Sequence, residues 1–332
     1  METHITALNK DFMKIYISLV LLAFSSIGIC QDYNFKPVWH KGDQKQISIT
    51  TVEREYEDDQ LIVDTTYFND ASLKVIKDEK ETYVLEILME NQALRSVATF
   101  YEKLGEDLVK YKNLKLVYSI DKQTAKAELL NWEEAQKFMT ESFDEIKKVI
   151  EDKVPDMAFF TSMIIKPMEE IFQSKENIES YMESNIGYIL IPFGRDFKVG
   201  ETISETETQK NPFNPSREIS STTNYTLESV NSQSKTCKIK EEVVLDLSEF
   251  IATMKEMVKQ MGASFGGSEE VTEEKLKELE DFKVDVENER IISFDYSSSW
   301  VTEVVSNGSV TIPDPRSGVV SRKEVVVTTV VK

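Results

Sequence analysis

The stretch "LKLVYSID", residues 114–121, sets Leu114, Leu116, Tyr118 and Ile120 against Lys115, Val117, Ser119 and Asp121. That period of two belongs to a strand with one face buried. Similar patterning fills three regions of the chain. Residues 43–130 carry "KQISITTVE", "LIVDTTYF", "LKVIKD", "TYVLEILME" and "KAELLN" besides. Residues 187–247 carry "YILIPFG", "ETISETETQ", "STTNYTLESV" and "TCKIKEEVVLDL". Residues 282–331 carry "FKVDVE", "RIISFDYSSSWVTEVV" and "KEVVVTTVV". Short strands separated by polar turns predict an antiparallel meander, not a parallel sheet.

Helical blocks interrupt these regions near 131–185 and 248–281. In "NWEEAQKFMTESFDEIKKVIEDKV", Asn131 with Glu134 three residues later has the spacing of a capping box. Pro155 and Pro167 divide the rest of that block, because proline suits a first helical turn and breaks an interior. In the second block Phe250, Ile251, Met254, Met257, Val258 and Met261 share one helical face. The expected class is α+β: a curved antiparallel sheet, meander or half-barrel, with helices packed on one face. The β-rich parts also resemble one another. "KGDQKQIS" is similar to "VGETISET", Leu73 falls on Leu227 at a shift of 154 residues, and Trp132 and Trp300 each end a strand pair. That predicts at most a decayed duplication, since strands resemble one another by composition alone.

The N-terminus bears on the compartment. Lys14 precedes an apolar run from Ile15 to Ile29, short of the ~20 residues a membrane-spanning helix needs. A basic start, a short apolar core and small residues before a polar turn read as a secretory signal cut between Cys30 and Gln31. A lipid-anchoring signal would want a small residue where Ile29 stands, so ordinary cleavage is expected over lipidation or a retained anchor. Residues 1–30 are therefore set aside as signal, with Met13 as an alternative start, and residues 31–332 are expected to form one β-rich domain. The product is expected to be exported: periplasmic, outer-membrane-associated or extracellular.

Composition excludes several chemistries. The formal charge of −20 repels phosphate backbones, so no nucleic-acid partner is expected. Cys237 is the cysteine left after cleavage, so the fold holds without internal disulfides, and its strand-like setting marks it as a small core residue. His40 is the histidine left, which rules out zinc sites of several His or Cys ligands. "GASFG", Gly262–Gly266, matches a nucleophile elbow, but no histidine comes after it. Ser264 is read as part of an interhelix loop. No metal and no cofactor are expected.

A strand pair with an acidic turn, then "LLNWEEAQKF" opening a helix, together with Gln31 after the cut, resembles exported proteins of Bacteroidota-type bacteria. Those look like distant relatives of the half-barrel lipoprotein carriers of the LolA and LppX type. The resemblance covers the chain after residue 30 and implies a curved sheet cupping helices and an apolar ligand. It transfers no functional residue, and this chain lacks the lipidation motif of the lipoprotein members.

The expected role is non-enzymatic binding of a lipid, another apolar ligand or an envelope partner. Met157–Phe172 is apolar over more than one helical stripe, and methionine adapts to irregular shapes. Phe159, Phe160, Met163 and Ile164 are the candidate ligand contacts; the competing reading is a helix buried all round as plain core. A carboxylate-dependent enzyme acting on glycans needs two acids at roughly 5–10 Å. Among 59 acidic residues no pair stands out, and the runs 53–59 and 269–281 read as solvated. A purely structural envelope protein is the third alternative.

Overall fold

Several strands in this chain run longer than the sequence suggests, while others are as short or shorter. The computed structural model describes residues 32–91, 109–153, 165–166, 169–211, 214–246, 248, 252–253, 285–313 and 320–332. The chain divides into two units, Met1–Tyr33 and Asn34–Lys332. Of the first only Asp32–Tyr33 is described, as a short strand. The second unit holds the main sheet. Its strands are β1 (Gln44–Glu57), β2 (Gln60–Asp78), β3 (Thr82–Glu90), β4 (Asn113–Asp121) and β5 (Ala127–Leu129). After two helices come β6 (Thr202–Asn211), β7 (Asn214–Asn231), β8 (Thr236–Leu245), β9 (Asp285–Asp295), β10 (Trp300–Pro313) and β11 (Val320–Val331).

These eleven strands make one antiparallel sheet in the order β5-β4-β3-β2-β1-β11-β10-β9-β8-β7-β6. Sequential neighbours pair as hairpins, and the first and last strands meet in the middle, Ser321–Val331 against Ile47–Glu57. Among the described residues the sheet is not closed; β5 and β6 are its edges. The predicted alternation is present: Leu114, Leu116, Tyr118 and Ile120 of β4 are buried. Their row continues through Val75, Leu85, Leu227, Ile239, Ile292 and Phe294, each essentially inaccessible. Burying such a side chain contributes about 1.5–3 kcal/mol.

Two strand assignments change. "LIVDTTYF" and "LKVIKD" are one 19-residue strand, β2. The polar run Asn69–Ser72 reads as a turn, but it stays extended because Asn69 and Ala71 lie opposite Ile49 and Ile47 of β1. "YILIPFG" is not a strand. Tyr188–Leu190 close the helix α2 (Lys175–Leu190), whose buried residues Ile178, Met182, Ile186 and Ile189 keep helical spacing up to Pro192.

The two strand sets share a frame. Gly42 and Gly200 both have positive φ, +99° and +81°, and each amide donates to the second strand of its set, to Val75 O at 2.8 Å and Leu227 O at 2.9 Å. Bulges come next at Ile76 and Glu228. The pairs Val75–Leu85, Tyr118–Leu129 and Ser119–Glu128 reappear as Leu227–Ile239, Ile292–Val304 and Ser293–Glu303. Asp121 and Asp295 accept the amides that start their loops, and Ala125 and Ser299 take the left-handed conformation four residues on. Leu227 thus corresponds to Val75, not to Leu73, and Trp300 begins β10, where its counterpart is Lys126 instead of Trp132.

Helix α1 (Trp132–Lys153) buries Ala135, Met139, Phe143, Ile146 and Ile150. Asn131 does not cap it with its side chain. Its Oδ1 accepts the Val117 amide at 2.8 Å and its Nδ2 donates to Lys115 O at 3.0 Å, prolonging the short pairing of β5 on β4. Ser174 caps α2 by accepting the Asn177 amide. The Tyr118 hydroxyl donates to Met182 O at 2.8 Å, tying α2 to β4, and Asn91 Nδ2 donates to Ser142 Oγ at 3.3 Å, tying α1 to the end of β3.

Candidate functional site

Among the described residues, a buried charge enters the apolar phase of the sheet in the second strand set, at Glu241. Counting from Cys237 and Ile239 in β8, the next residue of that phase is Glu241; counting back from Phe294 and Ile292 in β9, it is Arg290. The two lie opposite one another. The first set places Ile87 against Leu116 at the corresponding positions. Glu241 is 6% exposed, and its Oε2 stands 2.6 Å from Arg290 Nη1, an ion pair without a well-aligned hydrogen bond. Arg290 Nε donates to Ser306 Oγ at 3.2 Å.

Arg195 completes the cluster. Its Nε and Nη2 hold Glu205 Oε1 and Oε2 at 2.8 and 2.7 Å, a bidentate pair. Its Nη1 donates to Ile191 O at 3.0 Å, and its guanidinium lies 3.9 Å from the centre of the Tyr225 ring. Tyr225 sits opposite Glu241 in the register. Burial raises the Glu241 carboxyl above its ordinary value against the pull of Arg290 and Arg195. Burial likewise pushes the Tyr225 phenol up to about 12, with Arg195 opposing. For Arg195, burial acts to lower the pKa, but the Glu205 hydrogen bond overrides it and the result is raised.

Both guanidiniums are already held by carboxylates, so an incoming anion would have to displace Glu205 or Glu241. The arrangement can bind β6, β7, β8 and β9 to one another, and burial lets Glu241 hold its proton to higher pH than a solvated glutamate would. Sequence reasoning missed these residues. The available signal was phase: a glutamate and an arginine, each two residues from a buried apolar neighbour in an alternating strand.

The candidate contacts Phe159, Phe160, Met163 and Ile164 lie outside the described residues, as do Ser264 and the run 269–281. Among the described residues, a space lined by Met89 of β3, Leu114 of β4, Met139 of α1 and Met182 of α2 measures about 40 Å³. That holds one water, not an acyl chain. The run 53–59 is the end of β1 and its tight turn. Lys323 lies 3.3 and 3.4 Å from Glu53 and Glu55, and all three side chains are partly solvated. Cys237 is buried, and burial pushes its thiol up to about 12. Among the described residues no cluster of His, Cys, Asp or Glu has the geometry of a metal site. No helix among them is long and apolar enough to cross a membrane.

No family model matches the chain. No curated protein matches it either. Among solved structures it is similar to Ail, the attachment invasion locus protein of Yersinia pestis. The identity is 5%, over 88% of this chain and 100% of that one, with a TM-score of 0.15. A likeness that slight carries neither fold nor function.

Proposed function

We propose that the chain is an exported, non-enzymatic binding protein of the cell envelope whose partner is another protein. The observation that carries this reading is the tip of the β1–β2 hairpin. Leu61 and Ile62 are 51% and 53% exposed, and Val63 and Val320 beside them are exposed as well. The tip is fixed in place: the Asp58 amide donates to Val320 O, and Asp58 Oδ1 accepts the Val320 amide, both at 3.0 Å. Consecutive apolar residues held in solvent on a fixed hairpin are a contact surface. Glu57, Asp58, Asp59 and Asp64 flank them in the chain; Arg322 and Arg54 pair with Asp59 and Asp64, and the acidic charge left over disfavours an anionic bilayer. That favours protein over lipid.

The leader-like run Ile15–Ile29 supports export, and the paired carboxylates around Glu241 support a non-catalytic core. The buried packing of α1 and α2 on β4 is consistent with helices on one face of a curved, half-barrel sheet. The repeated frame is consistent with two related halves. A photoreactive benzoylphenylalanine at Ile62, installed in the native host, tests the reading. One discrete protein adduct in the envelope fraction is expected, absent with the probe at Lys238 and lost on Leu61→Ser. Adducts confined to the cytosol, or equal labelling from both positions, would overturn it.

A further inference from the structure

The sheet's two edges are unlike. β5 is three residues long, and the Asn131 side chain caps its end on β4. β6 runs ten residues, Thr202–Asn211, without proline. Short or irregular edges resist strand addition, and long regular ones invite it. Backbone alternation decides which groups β6 offers. Asp246 N donates to Ser220 O, so even residues of β7 face β8 and odd ones face β6. Ile203, Glu205 and Glu207 therefore bond to Tyr225, Thr223 and Ser221. The N–H and C=O groups of Ser204, Thr206 and Thr208 point outward, and among the described residues no strand pairs with them.

The first strand set shows what belongs on such an edge. β1 corresponds to β6, Gly42 to Gly200 and Gln46 to Ser204. The outward groups of β1 are covered by β11: Gln46 and Lys332 exchange hydrogen bonds of 3.0 and 2.9 Å, and Lys323 lies on Glu53 and Glu55. The second set has no such strand, since the counterpart position in the first set's sequence is taken by α1 and α2. We propose that β6 is a strand-addition site for an extended basic segment of a partner protein. Charge selects that occupant over a second copy. Glu205 is held by Arg195, so Glu207 carries the selection: pairing β6 antiparallel about Glu207 sets that side chain against its own copy, and like charges across strands are disfavoured. The proposal stands independently of the hairpin tip.

The probe is a peptide copying residues 320–332, with a second carrying Thr329→Lys and Val331→Lys. The β1–β11 register would bring these two lysines opposite Glu207 and Glu205. Titrated against the full chain, the lysine peptide should bind at micromolar concentration, about fivefold tighter than the plain copy. Thr206→Pro removes one outward N–H, leaves the β6–β7 ladder intact, and should weaken binding at least about tenfold. Amide exchange gives a readout that needs no variant: peptide should slow Ser204, Thr206 and Thr208 and leave Glu205 and Glu207 unchanged. The proposal is overturned if neither peptide binds, if those three amides are unaffected, or if the lysines give no gain. It is equally overturned if the chain alone is a dimer that Thr206→Pro separates, because the occupant is then a second copy.

Discussion

Gly194 has φ +73°, and a Cβ built there would lie 2.6 Å from the Thr124 carbonyl oxygen. Gly42 has φ +99° with nothing within 4 Å. Gly42→Ala should therefore cost about 1–2 kcal/mol from conformation alone. Gly194→Ala should cost more, about 3 kcal/mol, because the β4–β5 loop must also shift; urea melts compare the two. At the Glu241–Arg290 pair, Arg290→Leu alone leaves a buried carboxylate unpaired and should cost about 3 kcal/mol. Adding Glu241→Ile rebuilds the Ile87–Leu116 arrangement of the other strand set and should recover most of that loss. The pH dependence has a definite sign. Glu241 has its folded pKa raised above 4.5, so the folded state holds the proton longer than the unfolded one. Relative to the double variant, wild-type stability should fall as pH rises from about 4.5 through the raised value, then level off. An increase over that window would contradict the burial argument. Cys237, with its thiol pushed up to about 12, should resist alkylation at neutral pH until the chain unfolds.

Among the elements, strands announced themselves through alternation, while their ends and pairings did not. β4 was legible residue by residue because Leu114, Leu116, Tyr118 and Ile120 all face the core. β2 looked like two strands because Asn69–Ser72 is polar, and only its neighbour's register keeps it extended. "YILI" looked like a strand because branched residues favour one, yet the helical spacing from Ile178 to Ile189 carries it into α2. Asn131 looked like a helix cap and serves the β4 edge instead, since residue type and spacing do not reveal which orphan amide lies nearer. Asn131→Ala should accordingly cost about 1–2 kcal/mol and speed exchange of the Val117 amide. Unchanged exchange at Val117, with fraying at Glu133 and Glu134, would restore the capping reading. The Glu241–Arg290 pair was missed because strong charge in a strand is usually assigned to the solvent face, and its ligand-like alternatives among Phe159–Ile164 lie outside the described residues.

Across the whole molecule, the strand sets are bound by the pairing of β1 with β11, residues near opposite ends of the chain held together over eleven registered pairs. That seam, together with Trp39 packed on both Tyr83 and Trp300, couples the strand sets, so the chain after residue 33 should unfold in one transition. Two calorimetric transitions would divide it into domains. Non-local pairing of this kind also makes folding slow. The seam itself is tested by a cysteine pair. Thr51 and Val327 are direct partners in the register, and their odd phase places them in a non-hydrogen-bonded pair, where side chains come closest. In a chain with Cys30 and Cys237 replaced by serine and alanine, Thr51→Cys with Val327→Cys should oxidise to an intramolecular disulfide under mild conditions and raise the melting temperature. Thr51→Cys with Val325→Cys, two residues out of register, should not. If the registered pair stays reduced, or both pairs oxidise equally, β1 and β11 do not meet as described and the single sheet is wrong.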